Sequence, residues 1–88
     1  MNTQNRRILL VDDEKDFVDC MTKRLQRRGL DCRCVYSGNE AMEMIREGEF
    51  DVIVLDMMLP DTNGNEVLRS IKLISPDTAV IMLTGHAC

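Results

Sequence analysis

The chain has 88 residues, of which 44% are hydrophobic and 30% charged, and it carries a net charge of −4. That is one small soluble-type domain, near the size where a single core only just suffices. No apolar run reaches the length of a membrane span, and an acidic balance with two Phe and one Tyr argues against direct binding to nucleic acid.

The first seven residues, Met1 to Arg7, form a short polar segment. Arg6 and Arg7 precede no signal-length apolar stretch, so a cytoplasmic location is the default and one domain over residues 1–88 is expected. Ile8-Leu9-Leu10-Val11 is continuously apolar, as in a strand buried on both faces. Glu14 to Arg28 has helical periodicity, with Phe17, Val18, Met21 and Leu25 as the inward stripe. Lys23, Arg24, Arg27 and Arg28 cluster in its second half, where cations suit the negative end of the helix dipole. Gly29 follows, at a position where a left-handed stop is expected.

Cys32 to Tyr36 reads as a short strand, and Arg33 within it suggests a place nearer the sheet's edge. Ser37-Gly38-Asn39-Glu40 is a capping box for a helix that turns Ala41, Met42 and Ile45 inward and stops at Gly48. Val52 to Leu55 is a second fully buried strand. Asn63-Gly64-Asn65-Glu66 opens a third helix, with Val67, Leu68, Ile71 and Ile74 on one face and Pro76 beyond its end. Thr78 to Leu83 is a fourth strand, closing at Thr84-Gly85.

The alternation β-α-β-α-β-α-β predicts an α/β domain with a parallel sheet and right-handed crossovers. Ligands of such sheets bind at the carboxyl ends of the strands, near the switch in strand order. Asp12, Asp13, Asp56 and Thr84 all fall at those ends. Two unit charges about 4 Å apart near a protein surface repel by roughly 4 kcal/mol, so three gathered carboxylates call for a cation. Magnesium suits an all-oxygen set: carboxylates, a backbone carbonyl such as that of Met58, and a phosphoryl oxygen. Pro60 and Gly64 shape the loop that holds this carbonyl, Gly64 by permitting a backbone conformation other residues resist. Singly, Asp12 or Asp13 could simply cap the next helix, and Asp61 and Asn63 read as turn and cap residues.

The cysteines do not form a metal motif. Cys32 and Cys34 lie two apart with no second pair and no nearby His, so Cys20, Cys32, Cys34 and Cys88 read as reduced, mostly buried thiols, with Cys88 exposed at the chain end. His86, near the C-terminus, reads as a solvated side chain.

The acidic pair Asp12-Asp13, the Asp56…Pro60…Gly64 pattern and the Thr84-Gly85 strand end resemble the receiver domain of bacterial two-component response regulators, over Ile8 to Gly85. The resemblance implies a flavodoxin-like, doubly wound parallel sheet, with four strands and three helices present and the last helix-strand-helix segment missing. It implies that Asp56 accepts a phosphoryl group from a sensor histidine kinase. Asp13, Asp56 and the Met58 carbonyl would bind Mg2+ directly, Asp12 would assist through water, and Thr84 would hydrogen-bond the phosphoryl group. Such a domain is a phospho-acceptor rather than an enzyme, apart from weak self-catalysed phosphotransfer and dephosphorylation. The Thr84-Gly85-His86 ending resembles receivers attached to transcriptional activators. The chain departs from the family in having no Lys after Thr84 to pair with the phosphate.

With that segment missing, the fourth strand is expected to be an unprotected edge, favouring a homo-oligomer formed through it. An alternative function is a non-phosphorylated receiver acting only as a dimerisation module. An aspartyl phosphatase is the enzyme alternative, but it needs an acid/base Asp where this chain has Met58.

Overall fold

The computed structural model describes residues 6–83. Strands and helices alternate as β1 (Arg7–Val11), α1 (Lys15–Arg27), β2 (Asp31–Val35), α2 (Gly38–Glu47), β3 (Val52–Asp56), α3 (Gly64–Ile74) and β4 (Ala79–Leu83). The strands form one parallel sheet in the order β2-β1-β3-β4. From β1 the chain steps outward to β2, then returns to the opposite side for β3. The switch point therefore lies between the carboxyl ends of β1 and β3, where open α/β sheets hold their ligands.

The two inner strands are the two continuously apolar runs, because each must bury both of its faces. Leu9, Val11, Ile53 and Leu55 pack on one face with Ile45 of α2 and Ile71 of α3. Leu9, Leu55 and Ile71 are fully buried, and each such side chain contributes roughly 1.5–3 kcal/mol. Leu10 points to the other face, with Val18 of α1 and Cys32. Arg33 is exposed on β2, and β2 is an outer strand, as its charge suggests.

Local signals set the helix ends. Ser37 Oγ accepts from the Glu40 N–H at 3.2 Å, while Glu40 Oε1 accepts from the Tyr36 N–H at 2.9 Å. The box thus reaches one residue further back than the usual reciprocal form. Asn63 Oδ1 caps α3 by accepting from the Glu66 N–H at 3.0 Å. Gly29 ends α1 with φ 88°, the left-handed stop its position requires.

Two expectations of the inward stripe need correction. Phe17 is 45% exposed and Ile74 is 43% exposed, whereas Thr22 is buried. Helix α1 lies over β2 and β1, and Phe17, near its N-terminal end, keeps nearly half of its surface in solvent. Thr22 takes the inner position because its hydroxyl donates to the Val18 carbonyl at 2.7 Å. The described cysteines are free: Cys32 is buried, Cys34 half-buried and Cys20 exposed. Burial pushes the Cys32 thiol above its ordinary range, which keeps it protonated and inert.

Candidate functional site

Register brings the acids together. Val11 pairs with Leu55 across β1 and β3, and adjacent strands lie about 4.8 Å apart. The next residue on each strand, Asp12 and Asp56, therefore stands at the same rim. The Asp12 N–H donates to the Val35 carbonyl at 3.2 Å, so the backbone stays in the sheet one residue past β1. Asp12 Oδ1 accepts from the Glu14 N–H at 2.9 Å, and Asp56 Oδ1 accepts from the Met58 N–H at 3.2 Å. Each carboxylate is aimed by an amide two residues on. Asp12 and Asp56 are buried at 2% and 1% exposure, while Asp13 is exposed. A carboxylate oxygen from each of the three lies within 4.8 Å of the others.

The donor set is made of hard oxygens, with two members out of solvent. That fits Mg2+ or Ca2+ and is unsuited to softer metals. The capping alternative for Asp12 is not borne out: Glu14 is the N-cap of α1 and, among the described residues, no side chain caps that helix, while Asp12 accepts from the Glu14 N–H ahead of the first turn. That bond leaves the carboxylate in the cluster.

The loop after Asp56 is held from several sides. The Met57 N–H donates to the Leu83 carbonyl at 3.2 Å, and the Met57 carbonyl accepts from the Gly64 N–H at 2.8 Å. Met58 bridges antiparallel to Asn63, and its side chain is 71% exposed, so only its backbone is positioned. Gly64 does not take the special backbone conformation expected of it, since Gly29 is the glycine with positive φ among the described residues. It is needed for space: a Cβ there would meet Met57 Cα at 2.8 Å and the Asp56 carbonyl oxygen at 2.9 Å. Thr84, Gly85 and His86 lie outside the described residues, as does Cys88.

Asp61 has a larger task than a local turn. Its Oδ1 accepts from the Gly38 N–H at 2.8 Å and its Oδ2 from the Asn39 N–H at 2.9 Å. It thereby ties the loop that follows Asp56 to the first turn of α2. No local pattern signals such a bond, because its partners lie 23 and 22 residues away. The Gly38 amide first, and the Asn39 amide next, hold this carboxyl below its ordinary value of 3.8. The folded pKa is depressed, so the tie contributes in full above the unfolded value and is lost as pH falls through the lower folded value. Asp61→Asn should flatten this part of the acid-unfolding curve, because an amide cannot accept from both N–H groups. A urea midpoint that falls equally in wild type and variant below pH 3.8 would refute the linkage.

The model of the response regulator receiver domain family matches residues 8–88. The chain belongs to this family. As a receiver domain it is part of two-component signalling, and its sheet and helices superpose well on solved relatives. A response regulator receiver domain protein (CheY-like) from Methanospirillum hungatei JF-1 is 29% identical, with a TM-score of 0.90 over 97% of this chain and 68% of that one. A Burkholderia pseudomallei response regulator, solved with a phosphorylated aspartic acid, calcium ion and citrate, is 27% identical. There the TM-score is 0.86, over 93% of this chain and 48% of that one. The Francisella response regulator 1452 receiver domain is 29% identical with a TM-score of 0.81, covering 89% of this chain. This chain spans 64% of that receiver's length. Among the described residues, no helix of the receiver domain is long and apolar enough to cross a membrane.

Proposed function

We propose that this receiver domain takes a phosphoryl group from a sensor histidine kinase onto Asp56. The observation that carries the reading is the convergence of Asp12, Asp13 and Asp56 within 4.8 Å at the switch point. Asp13, Asp56 and the Met58 carbonyl would hold Mg2+ directly, with Asp12 acting through water. When bound, the ion supplies positive charge that offsets the three carboxylates and the phosphoryl oxygens.

The residues' own chemistry follows from their placement. Oδ1 of Asp56 accepts from the Met58 N–H at 3.2 Å, which aims the carboxylate that attacks. The carboxylate forms the new O–P bond as the P–N bond to the donor imidazole breaks, and the electron pair stays on that nitrogen. Burial of Asp56 keeps bulk water from the carboxylate and from the acyl phosphate it becomes. The Met57 N–H bond to Leu83 links this event to the end of β4. Thr84, the next residue, would hydrogen-bond the transferred phosphoryl group. The product is a phosphoprotein in a cytoplasmic regulator that controls transcription, with the domain as acceptor rather than turnover enzyme. The Burkholderia relative with its phosphorylated aspartic acid and calcium ion supports the same assignment here.

Incubation with acetyl phosphate and Mg2+, read by intact mass, tests this. One covalent phosphate should appear, and it should be absent with EDTA and absent in Asp56→Asn. An unmodified mass under all conditions would instead favour a receiver domain that acts purely by association.

A further inference from the structure

The loop after Asp56 has a base and a tip, and different residues hold them. Met58 bridges antiparallel to Asn63, and the Leu59 N–H donates to the Thr62 carbonyl at 3.3 Å. Residues 58–63 thus form a small hairpin with Pro60 and Asp61 at its tip. The base is fastened to the sheet and to α3, through the Met57 bonds to Leu83 and Gly64 and through the Asn63 cap on Glu66. Pro60 has no N–H to offer, so the tip is fastened through Asp61.

That fastening runs to a different element. The two carboxylate oxygens of Asp61 accept from consecutive amides in the first turn of α2, Gly38 at 2.8 Å and Asn39 at 2.9 Å. Amides at that position have no partner within their own helix, and a carboxylate binds them with the strength of a charged acceptor. The helix end also lies hard against the hairpin. A Cβ on Gly38 would overlap Thr62 Cγ2 and stand 3.3 Å from Asp61 Oδ1. Helix α2 is set in turn by Ala41 and Ile45, which are buried in the core with Leu9 and Ile53. The tip therefore takes its position from a packed helix.

We propose that Asp61 is a positioning residue for phosphoryl transfer onto Asp56, acting through the backbone of Met58. The Met58 N–H aims Asp56 at 3.2 Å, and the Met58 carbonyl would face Mg2+. Both groups belong to one residue at the hairpin's base, opposite Asn63. A hairpin released at its tip can roll about that base and turn the N–H and the carbonyl away. Magnesium accepts little departure from octahedral geometry, and a misplacement of about 1 Å can cost roughly a hundredfold in rate. This role presupposes Asp56 as the acceptor, but the hold on Met58 exists without metal or phosphate.

Asp61→Ala in the full chain tests the role, with Ser37→Ala as the control. Ser37 caps the same helix through the Glu40 N–H, so its loss weakens α2 and leaves both Asp61 bonds in place. Exchange of the Met58 N–H, followed by NMR without metal and referred to the core amide of Leu55, should quicken in Asp61→Ala and not in Ser37→Ala. Calorimetry with MgCl2 should show binding weakened by about tenfold in Asp61→Ala, the size typical of losing a residue that supports a metal ligand. Labelling of Asp56 by acetyl phosphate at subsaturating Mg2+ should slow to match. Asp61→Asn keeps one acceptor and should fall between, and it carries the comparison if Asp61→Ala does not fold. Equal Met58 exchange in wild type and Asp61→Ala, or equal losses of Mg2+ affinity in Asp61→Ala and Ser37→Ala, overturns the proposal. A wild type that takes no phosphate, while Met58 exchange still responds to Asp61→Ala, sinks the acceptor reading and spares the hold.

Discussion

Magnesium should raise the melting temperature of this domain by roughly 10 °C at saturating concentration, and Asp13→Asn should abolish most of that rise. A ligand at about 100 times its dissociation constant adds roughly 2.7 kcal/mol to the folded state. In a domain of this size each kcal/mol moves the midpoint by roughly 4 °C or more. The same substitution should stabilise the protein in EDTA, a sign opposite to that of most point changes. Without a cation, three carboxylates repel across 4.8 Å or less. Because Asp13 is exposed, screening reduces the gain from neutralising it to roughly 1 kcal/mol. Thermal unfolding of both proteins, with Mg2+ and with EDTA, gives all four values at once. If Mg2+ leaves wild type unmoved and Asp13→Asn is neutral in EDTA, the acids are not a cation site.

Gly64→Ala should cost roughly 1–3 kcal/mol, the range for forcing atoms into a filled space. The new Cβ would strike Met57 Cα at 2.8 Å and the Asp56 carbonyl oxygen at 2.9 Å, with Met82 Cε at 3.2 Å. The first two are backbone atoms of the segment that carries Asp56 and cannot swing aside as the Met82 side chain can. Phosphorylation should therefore fall along with stability. Gly29 supplies the comparison. A Cβ there meets nothing within 4 Å, but φ is +88°, so the penalty is conformational. Gly29→Asn should be nearly silent, because Asn tolerates the left-handed region. Gly64→Asn should be at least as damaging as Gly64→Ala. Urea midpoints for the variants separate the two causes, and an unchanged midpoint in Gly64→Ala would show that the loop relaxes freely.

The strands were legible because inner strands of a parallel sheet must be apolar on both faces, which writes uninterrupted runs at 8–11 and 52–55. Asp12 and Asp56 were legible for a related reason, since a polar residue closing such a run has to sit at the sheet's rim. Asp61 was not, because its amide partners lie on another helix and leave no periodic trace. Phe17 and Ile74 belong to their helices' apolar stripes, yet periodicity reports a helix's own face and not how much sheet lies beneath it. Gly64 was legible as a residue of the loop pattern but not as a spatial requirement. The approach of Met57 and Asp56 to its Cα exists only once α3 has docked.

The bond from Gln26 to the Cys32 carbonyl at 2.9 Å occupies an outward-facing acceptor of β2, and the Arg33–Asp31 pair places charge along the same strand. That rim is therefore a poor template for a foreign strand, so accidental growth of the sheet past β2 is disfavoured.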